Sequence, residues 1–438
     1  MTNTATHSTA LLTDHYELTM LQASLADGTA QRRSVFELFA RRLPDGRRYG
    51  VTAGTGRLLD ALEEFRFDTA ICDFLHESGI VDEPTRDWLA GYRFTGDVHG
   101  YAEGECYFPG SPLLIVESTF AEAVLLETLV LSVLNHDSAI ASAASRMTSA
   151  AMSRPCVEMG SRRTHEEAAV AAARAAYLAG FSASSNLEAR RRFGVPTTGT
   201  SAHAFVLLHD SERDAFSVQV ETLGRGTTLL VDTYDVAEAV KTAVEVAGPD
   251  LGAVRLDSGD LLWMAHRVRK QLDELGAKHT KIVVTSDLDE YQIAALAAAP
   301  VDSYGVGTQL VTGSGAPTAG LVYKLVARGA SADADAPMVP VAKKSSEKAT
   351  RGGRKFAWRR IGSDGVAQEE VVGTGSVPEA LKSEGRDLLM QYVAKGEVIA
   401  RPSLAEIRER HEASRAELPP WSTQLSRGEP AIPTVYPS

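Results

Sequence analysis

The sequence predicts an α/β protein whose middle part is a series of parallel strands with crossover helices, a barrel more readily than an open sheet. Three observations point there. From about residue 155 onward, an apolar run, a polar loop and a helix-like stretch follow one another at least four times. Glycines that would close those helices stand at Gly180, Gly248 and Gly276. The chain has 438 residues, more than one ordinary core needs, so it holds two domains or one barrel with additions.

The opening MTNTATHSTALLTDHYEL has no charged segment leading into an apolar core and does not read as a signal peptide. Up to about residue 115 short strand-like pieces mix with turns. FELFARRLPDGRRYGV (36–51) alternates apolar residues and then turns at Pro44-Asp45-Gly46. The apolar run AEAVLLETLVLSVLNH (121–136) is interrupted by Glu122 and Glu127. It reads as too short and too charged to span a bilayer, and predicts a buried helix within a helical stretch from Phe120 to about Met152.

The repeating part begins with CVEMGSRRTHEEAAVAAARAAYLAG (156–180), read as strand, loop and helix, with Thr164 and Glu167 as a capping box. TTLLVDTYDVAEAVKTAVEVAG (227–248), GAVRLDSGDLLWMAHRVRKQLDELG (252–276) and KIVVTSDLDEYQIAALAAA (281–299) repeat the unit, and VDSYGVGTQLV (301–311) adds a last strand and loop. After Lys324 the composition loosens. ARGASADADAPMVPVAKKSSEKATRGGRK (327–355) reads as a long loop or flap, KFAWRRIGSDGVAQEEVV (355–372) as a hairpin, and SLAEIRERHEASRAEL (403–418) as a helix capped by Ser403.

A formal net charge of −12 argues against a general nucleic-acid binder. An anionic ligand must then be held by local arginines, of which clusters occur at Arg41, Arg42, Arg47 and Arg48, at Arg162 and Arg163, and at Arg190 to Arg192. The three cysteines, Cys72, Cys106 and Cys156, are scattered and form neither a metal spacing nor a disulfide framework, which predicts a reducing, cytoplasmic setting.

In parallel α/β folds ligands bind at the C-terminal ends of the strands. Those ends carry Asp232, Arg255, Asp257, Ser258, Asp260, Ser286, Asp287 and Asp289, and the last one Gly305, Gly307 and Thr308. A lone Asp after a strand is usually a helix cap, and Asp287 or Asp289 is read so. Carboxylates gathered on one rim repel unless a cation or a proton joins them, and Mg²⁺ with a diphosphate is the economical partner. Gly-Val-Gly-Thr lets backbone N–H groups approach a phosphate, with the Thr308 hydroxyl as a further donor.

His203 sits in the small-residue loop GTSAHAFVLLHD (199–210). No histidine follows at i+4, there is no His-Glu-x-x-His, and no Gly-x-Ser-x-Gly elbow occurs to pair with it. General base, phosphate hydrogen bonder, nucleophile and satisfied core residue all remain open.

The chain resembles the nicotinate phosphoribosyltransferases, of the type II phosphoribosyltransferase family. The resemblance rests on TDHYELTM (13–20), FELFARRLP (36–44), GSRR (160–163), FGVPTTGTSAH (193–203), LLVDTYD (229–235), VRLDSGDL (254–261), TSDLDEY (285–291), YGVGTQLVT (304–312) and YKL (323–325). It implies an irregular α/β barrel over 131–339 and a second α+β domain built from both chain ends, 1–130 and 340–438. It implies formation of nicotinate mononucleotide and diphosphate from nicotinate and phosphoribosyl pyrophosphate in NAD salvage. It further implies coupling to ATP hydrolysis, a requirement for Mg²⁺, and a cytoplasmic homodimer with interface sites and no membrane partner. By resemblance His203 is the histidine that ATP phosphorylates. Tyr16 stacks on the pyridine ring from the neighbouring subunit. Thr200 and Arg255 meet the nicotinate carboxylate, and Arg162 lines that pocket. Asp257 and Ser258, helped by Asp232, orient the ribosyl diphosphate, with Asp232 and Asp257 as Mg²⁺ ligands. Gly307 and Thr308 hold the 5′-phosphate.

The chain departs from the family pattern at Ala204, where relatives often carry Ser, at Met159, where they commonly carry Phe, and along KKSSEKATRGGRK (343–355), a loose match to their flap. Ser184–Ser185 stand where the nicotinamide-using relative places an Asp, which favours an acid substrate over an amide. The rival readings are that nicotinamide enzyme, the shorter quinolinate enzyme, a generic Mg²⁺-dependent barrel enzyme and a non-catalytic binding protein on the same fold.

Overall fold

A computed structural model describes residues 8–343 and 351–437. The chain divides into two compact units, one of residues up to Ala139 together with those from Thr318 on, the other Ile140–Pro317.

In the first unit a seven-stranded antiparallel sheet runs in the order Met338–Pro340, Leu321–Gly329, Arg33–Ala40, Leu114–Thr119, Asp97–Tyr101, Leu389–Ala394 and Glu397–Val398. Strands from both chain ends thus share one sheet. The division differs from the boundaries at 130/131 and 339/340. Leu321–Gly329 pairs along Arg33–Ala40 from Ser34↔Arg328 to Ala40↔Leu321, so the first unit resumes before it. The earlier boundary falls inside the helix Glu127–Ala151.

Every residue of Arg33–Ala40 after Arg33 is buried. The polar member Glu37 is compensated by an ion pair to Lys355, both nearly fully buried. Phe36 stacks on Tyr323 of the neighbouring strand, with ring centroids 4.8 Å apart.

A second sheet of four strands contains the expected hairpin, Lys355–Ile361 against Ala367–Thr374. Its Arg359 is wholly buried and contacts Glu105 at 2.7 Å and Glu370 at 2.6 Å, and Arg386 joins Glu105 at 2.7 Å. Burial alone would raise the Glu105 carboxyl, but Arg359 and Arg386 pull it down to about 2. The late helix Leu404–Ala416 starts at Ser403 with a full capping box to Glu406.

The helical run Phe120–Ala151 is long enough to cross a bilayer, which its apolar letters had not suggested. It is a core helix: 67% of its most apolar window is buried. Part of the expected flap, residues 344–350, lies outside the described residues.

The second unit holds a six-stranded parallel sheet in the order Ala183–Ser184, Cys156–Glu158, Ser303–Val306, Lys281–Ser286, Ala253–Leu256 and Thr228–Leu230. Numbered along the chain that order is 2-1-6-5-4-3. The last strand lies beside the first, as in a barrel, and the ring is interrupted between the second and third strands. Between those two strands the chain runs through three helices, Leu187–Phe193, His203–Leu207 and Glu212–Leu223, and the loop with Thr200. The barrel is irregular for this reason.

Its helices start and stop as local chemistry requires. Asp235, Asp260 and Asp289 each accept backbone N–H groups as N-caps, while Gly248 and Gly276 close their helices with φ of +83° and +85°. The capping box at Thr164 is not formed: the helix begins at Glu166 and its cap is His165, which accepts from the Glu167 N–H.

Candidate active site

His203 is the first residue of its short helix, at the interruption of the barrel. Its side chain is 41% exposed, and its Nε2 lies 3.2 Å from Oδ1 of Asp232, whose side chain is 2% exposed. The other oxygen of Asp232 accepts the Asp257 backbone N–H at 2.9 Å and the Ser258 hydroxyl at 2.7 Å. Asp232 therefore joins the end of one strand to the loop after the next. An ionised carboxylate only accepts, so the histidine donates Nε2–H, and in the neutral ring the Nδ1 lone pair is left available.

Arg255 is held on three sides. Its Nε donates to Thr285 Oγ1 at 3.0 Å, Nη1 to Thr200 Oγ1 at 2.7 Å and the Ser201 carbonyl at 3.2 Å, and Nη2 to Asp257 Oδ2 at 3.1 Å. Four of the five guanidinium N–H groups are thereby used, which leaves one on Nη2 for a ligand. The Thr285 hydroxyl also donates to Asp257, and the Thr308 hydroxyl is 3.3 Å from Asp287.

Beside these groups opens a cavity of about 220 Å³, mostly polar, lined by the predicted Arg162, Arg255, Asp257, Gly307 and Thr308. Met159, Arg163, Thr285, Ser286 and Asp287 also line it. Neither the Arg162 nor the Arg163 side chain makes an ion pair among the described residues, so both are available to an anion. Met159 takes its place because Gly305 lacks a side chain. A Cβ there would come within 2.8 Å of the Met159 sulfur and 2.5 Å of Thr285 Cγ2. Ser286 has φ of 150°, a conformation that costs an L-residue on the order of 1–3 kcal/mol and concentrates at working sites.

The predicted residues thus fall into two linked groups. His203, Asp232, Ser258 and Thr200 do not line the cavity, but Asp232 holds Asp257 and Thr200 holds Arg255, which do. Tyr16 belongs to the first unit, in the opening turn of the helix His15–Ala26, and is 45% exposed. Partial burial and the Glu127 carboxylate push its phenol up to about 12.

Ser184 is buried and hydrogen-bonded to Glu158, and neither it nor Ser185 lines the cavity. Of the two aspartates weighed as caps, Asp289 is one and Asp287 faces the cavity. Thr285 and Glu158 escaped the sequence reading, and Arg163 entered it only as part of an arginine cluster. The doubled arginine in GSRR was the only local signal for any of them.

The carboxylates expected to hold Mg²⁺, Asp232 and Asp257, already serve as hydrogen-bond acceptors, with a lone pair left on Asp232 Oδ1 and on each Asp257 oxygen. Both Asp232 oxygens already receive donors, and Asp257 receives Thr285 on one oxygen and Arg255 on the other. No group of three or more His, Cys, Asp or Glu suited to a metal occurs among the described residues.

Residues 11–135 match the model of the nicotinate phosphoribosyltransferase N-terminal domain, and residues 140–314 that of the quinolinate phosphoribosyl transferase C-terminal domain. The chain is 58% identical over 432 residues to nicotinate phosphoribosyltransferase pncB1 of Mycobacterium tuberculosis (strain CDC 1551 / Oshkosh), covering 97% of this chain and 94% of that one. It is 40% identical over 365 residues to nicotinate phosphoribosyltransferase of Bacillus subtilis (strain 168), covering 81% and 74%. The crystal structure of human nicotinic acid phosphoribosyltransferase superposes with a TM-score of 0.81 at 27% identity, covering 97% of each chain. With this fold, this arginine-lined cavity and relatives matched over nearly the whole length, the chain belongs to the nicotinate phosphoribosyltransferase family.

Proposed function

We propose that this protein transfers the phosphoribosyl group of phosphoribosyl pyrophosphate to nicotinate, giving nicotinate mononucleotide and diphosphate in NAD biosynthesis, and couples the transfer to ATP through phosphorylation of His203. The observation that carries the reading is the cavity with three arginines, Arg162, Arg163 and Arg255, against two aspartates, Asp257 and Asp287. A surplus of guanidinium groups suits a carboxylate and phosphates, whereas an amide needs no cation.

In the transfer the pyridine nitrogen attacks ribose C1, and the C1–O bond to diphosphate breaks with its electron pair leaving on the diphosphate. No proton need move. The site supplies orientation and charge. The free N–H of Arg255 takes the nicotinate carboxylate with Thr200 alongside, and Arg162 lines the same wall. Gly307 and Thr308 take the 5′-phosphate. Asp257, with Ser258, orients the ribose against developing positive charge at C1. Phosphoribosyl pyrophosphate enters as its Mg²⁺ complex. In the ATP step Nδ1 of His203 attacks the γ-phosphorus and ADP leaves. Asp232 holds the opposite nitrogen and stabilises the charged ring. Hydrolysis of the phosphohistidine then returns the free imidazole and phosphate. In this reading the working form is a homodimer, with Tyr16 reaching the pyridine ring from the neighbouring subunit.

The test is transfer of labelled nicotinate against nicotinamide, with and without ATP, joined to incubation with γ-labelled ATP and mapping of the acid-labile adduct. Product from nicotinate, stimulation by ATP and label on His203 are expected. A preference for nicotinamide refutes the substrate, and an active preparation without label on His203 refutes the coupling.

A further inference from the structure

Beneath the cavity lies a carboxylate with no counter-ion. Glu158 ends the strand Cys156–Glu158 and is fully buried. Burial pushes its carboxyl up, and no cation pairs with it among the described residues. A buried acid left without a counter-charge works against stability, so its presence calls for another explanation.

Its contacts supply one. One oxygen accepts the Gly160 backbone N–H and the other the Ser184 hydroxyl. Ser184 Oγ in turn accepts the Asn186 N–H at 2.8 Å, and Asn186 Nδ2 donates to Ser161 Oγ at 3.0 Å. The Glu158 carbonyl accepts the Ser185 N–H at 2.8 Å. These bonds close a loop of hydrogen bonds around residues 158–161 and 184–186. The segment they secure continues into Arg162 and Arg163 and contains Met159, three of the residues that line the cavity.

We propose that Glu158 is a positioning residue: it ties the Met159–Arg163 segment to the Ser184–Asn186 segment and so sets the arginines for an anionic ring substituent. Ser184, which stands where the nicotinamide-using relative places an Asp, acts through this tie. The inference rests on the reading of the cavity as a nicotinate site. Residues that place a binding group rather than touch the reaction affect KM more than kcat.

The experiment is steady-state kinetics with nicotinate varied at saturating phosphoribosyl pyrophosphate and ATP, on wild type, Glu158→Ala, Glu158→Gln and Ser184→Ala. Glu158→Ala raises KM for nicotinate by about tenfold or more and changes kcat by less than about threefold. Glu158→Gln recovers most of that loss, because its amide offers an oxygen to Gly160 N–H and an N–H to Ser184. Ser184→Ala raises KM by roughly threefold, since it severs one arm only. An unmoved nicotinate KM in Glu158→Ala, or a Gln variant as impaired as Ala, overturns the proposal. Should Glu158→Ala fail to fold, an unmoved KM in Ser184→Ala overturns it equally. Wild-type protein that makes no nicotinate mononucleotide refutes the functional reading. Wild-type turnover with unmoved variants refutes only the role of Glu158.

Discussion

Asp232 receives the His203 imidazole at 3.2 Å on one oxygen and, on the other, the backbone of the strand-end loop that carries Asp257. One buried carboxylate thus fixes the tautomer of the exposed histidine and the position of a cavity residue.

Asp232→Asn cannot perform both tasks, because an amide accepts with its oxygen only and sets an NH₂ against either His203 or the Asp257 N–H. ATP-linked turnover is expected to fall by on the order of 10²-fold or more, as when the carboxylate that sets a reactive histidine's tautomer is lost. Phosphorylation of His203 and basal transfer without ATP are to be measured separately. Phosphorylation at the wild-type rate in the variant contradicts the assigned tautomer.

Arg255→Ala removes the remaining guanidinium donor and also leaves Asp257 and Thr200 without their partner. A charged hydrogen bond is worth about 1.5–3 kcal/mol, roughly 10- to 100-fold in KM for nicotinate. Titration of nicotinate at fixed phosphoribosyl pyrophosphate checks this, and an unchanged KM places the carboxylate elsewhere.

Glu212, at the start of the helix Glu212–Leu223, is pushed up to about 7 by burial and then by Asp235. Between its ordinary value and about 7 the folded protein holds a proton that the unfolded chain has released, so stability falls as pH rises through that window. Glu212→Gln is expected to raise the melting temperature at pH 8 and leave it near wild type at pH 4.5. An equal change at both pH values contradicts the assignment.

Arg359→Ala leaves Glu105 and Glu370 buried without their shared cation. Breaking a buried ion pair from one side costs about 3–5 kcal/mol, seen as a lower urea midpoint. The loss is expected to shrink as pH falls from the ordinary Glu value toward about 2, where the Glu105 carboxylate of the wild type is half protonated. A variant as stable as wild type at neutral pH shows that the network is dispensable.

The alternation of strands and helices from Cys156 to Val311 was legible because it is written locally. Apolar periodicity, the caps Asp235 and Asp260, and Gly248 and Gly276 all act within a turn or two of chain. The capping box at Thr164 failed by one residue because His165 takes the cap position instead. Glu158 was illegible for the opposite reason. Its partner Ser184 is 26 residues away, and nothing near Glu158 announces that it is buried without a cation.

By itself the sequence determined which residue types stand at the strand ends, where the helices begin, and which family the motifs resemble. Only the tertiary structure decided which of them meet: His203 with Asp232 across 29 residues, and Leu321–Gly329 with Arg33–Ala40 in one sheet. Caps and periodicity are short-range forces encoded in neighbouring letters, whereas partners across a sheet follow from strand order and burial, which the whole chain settles together.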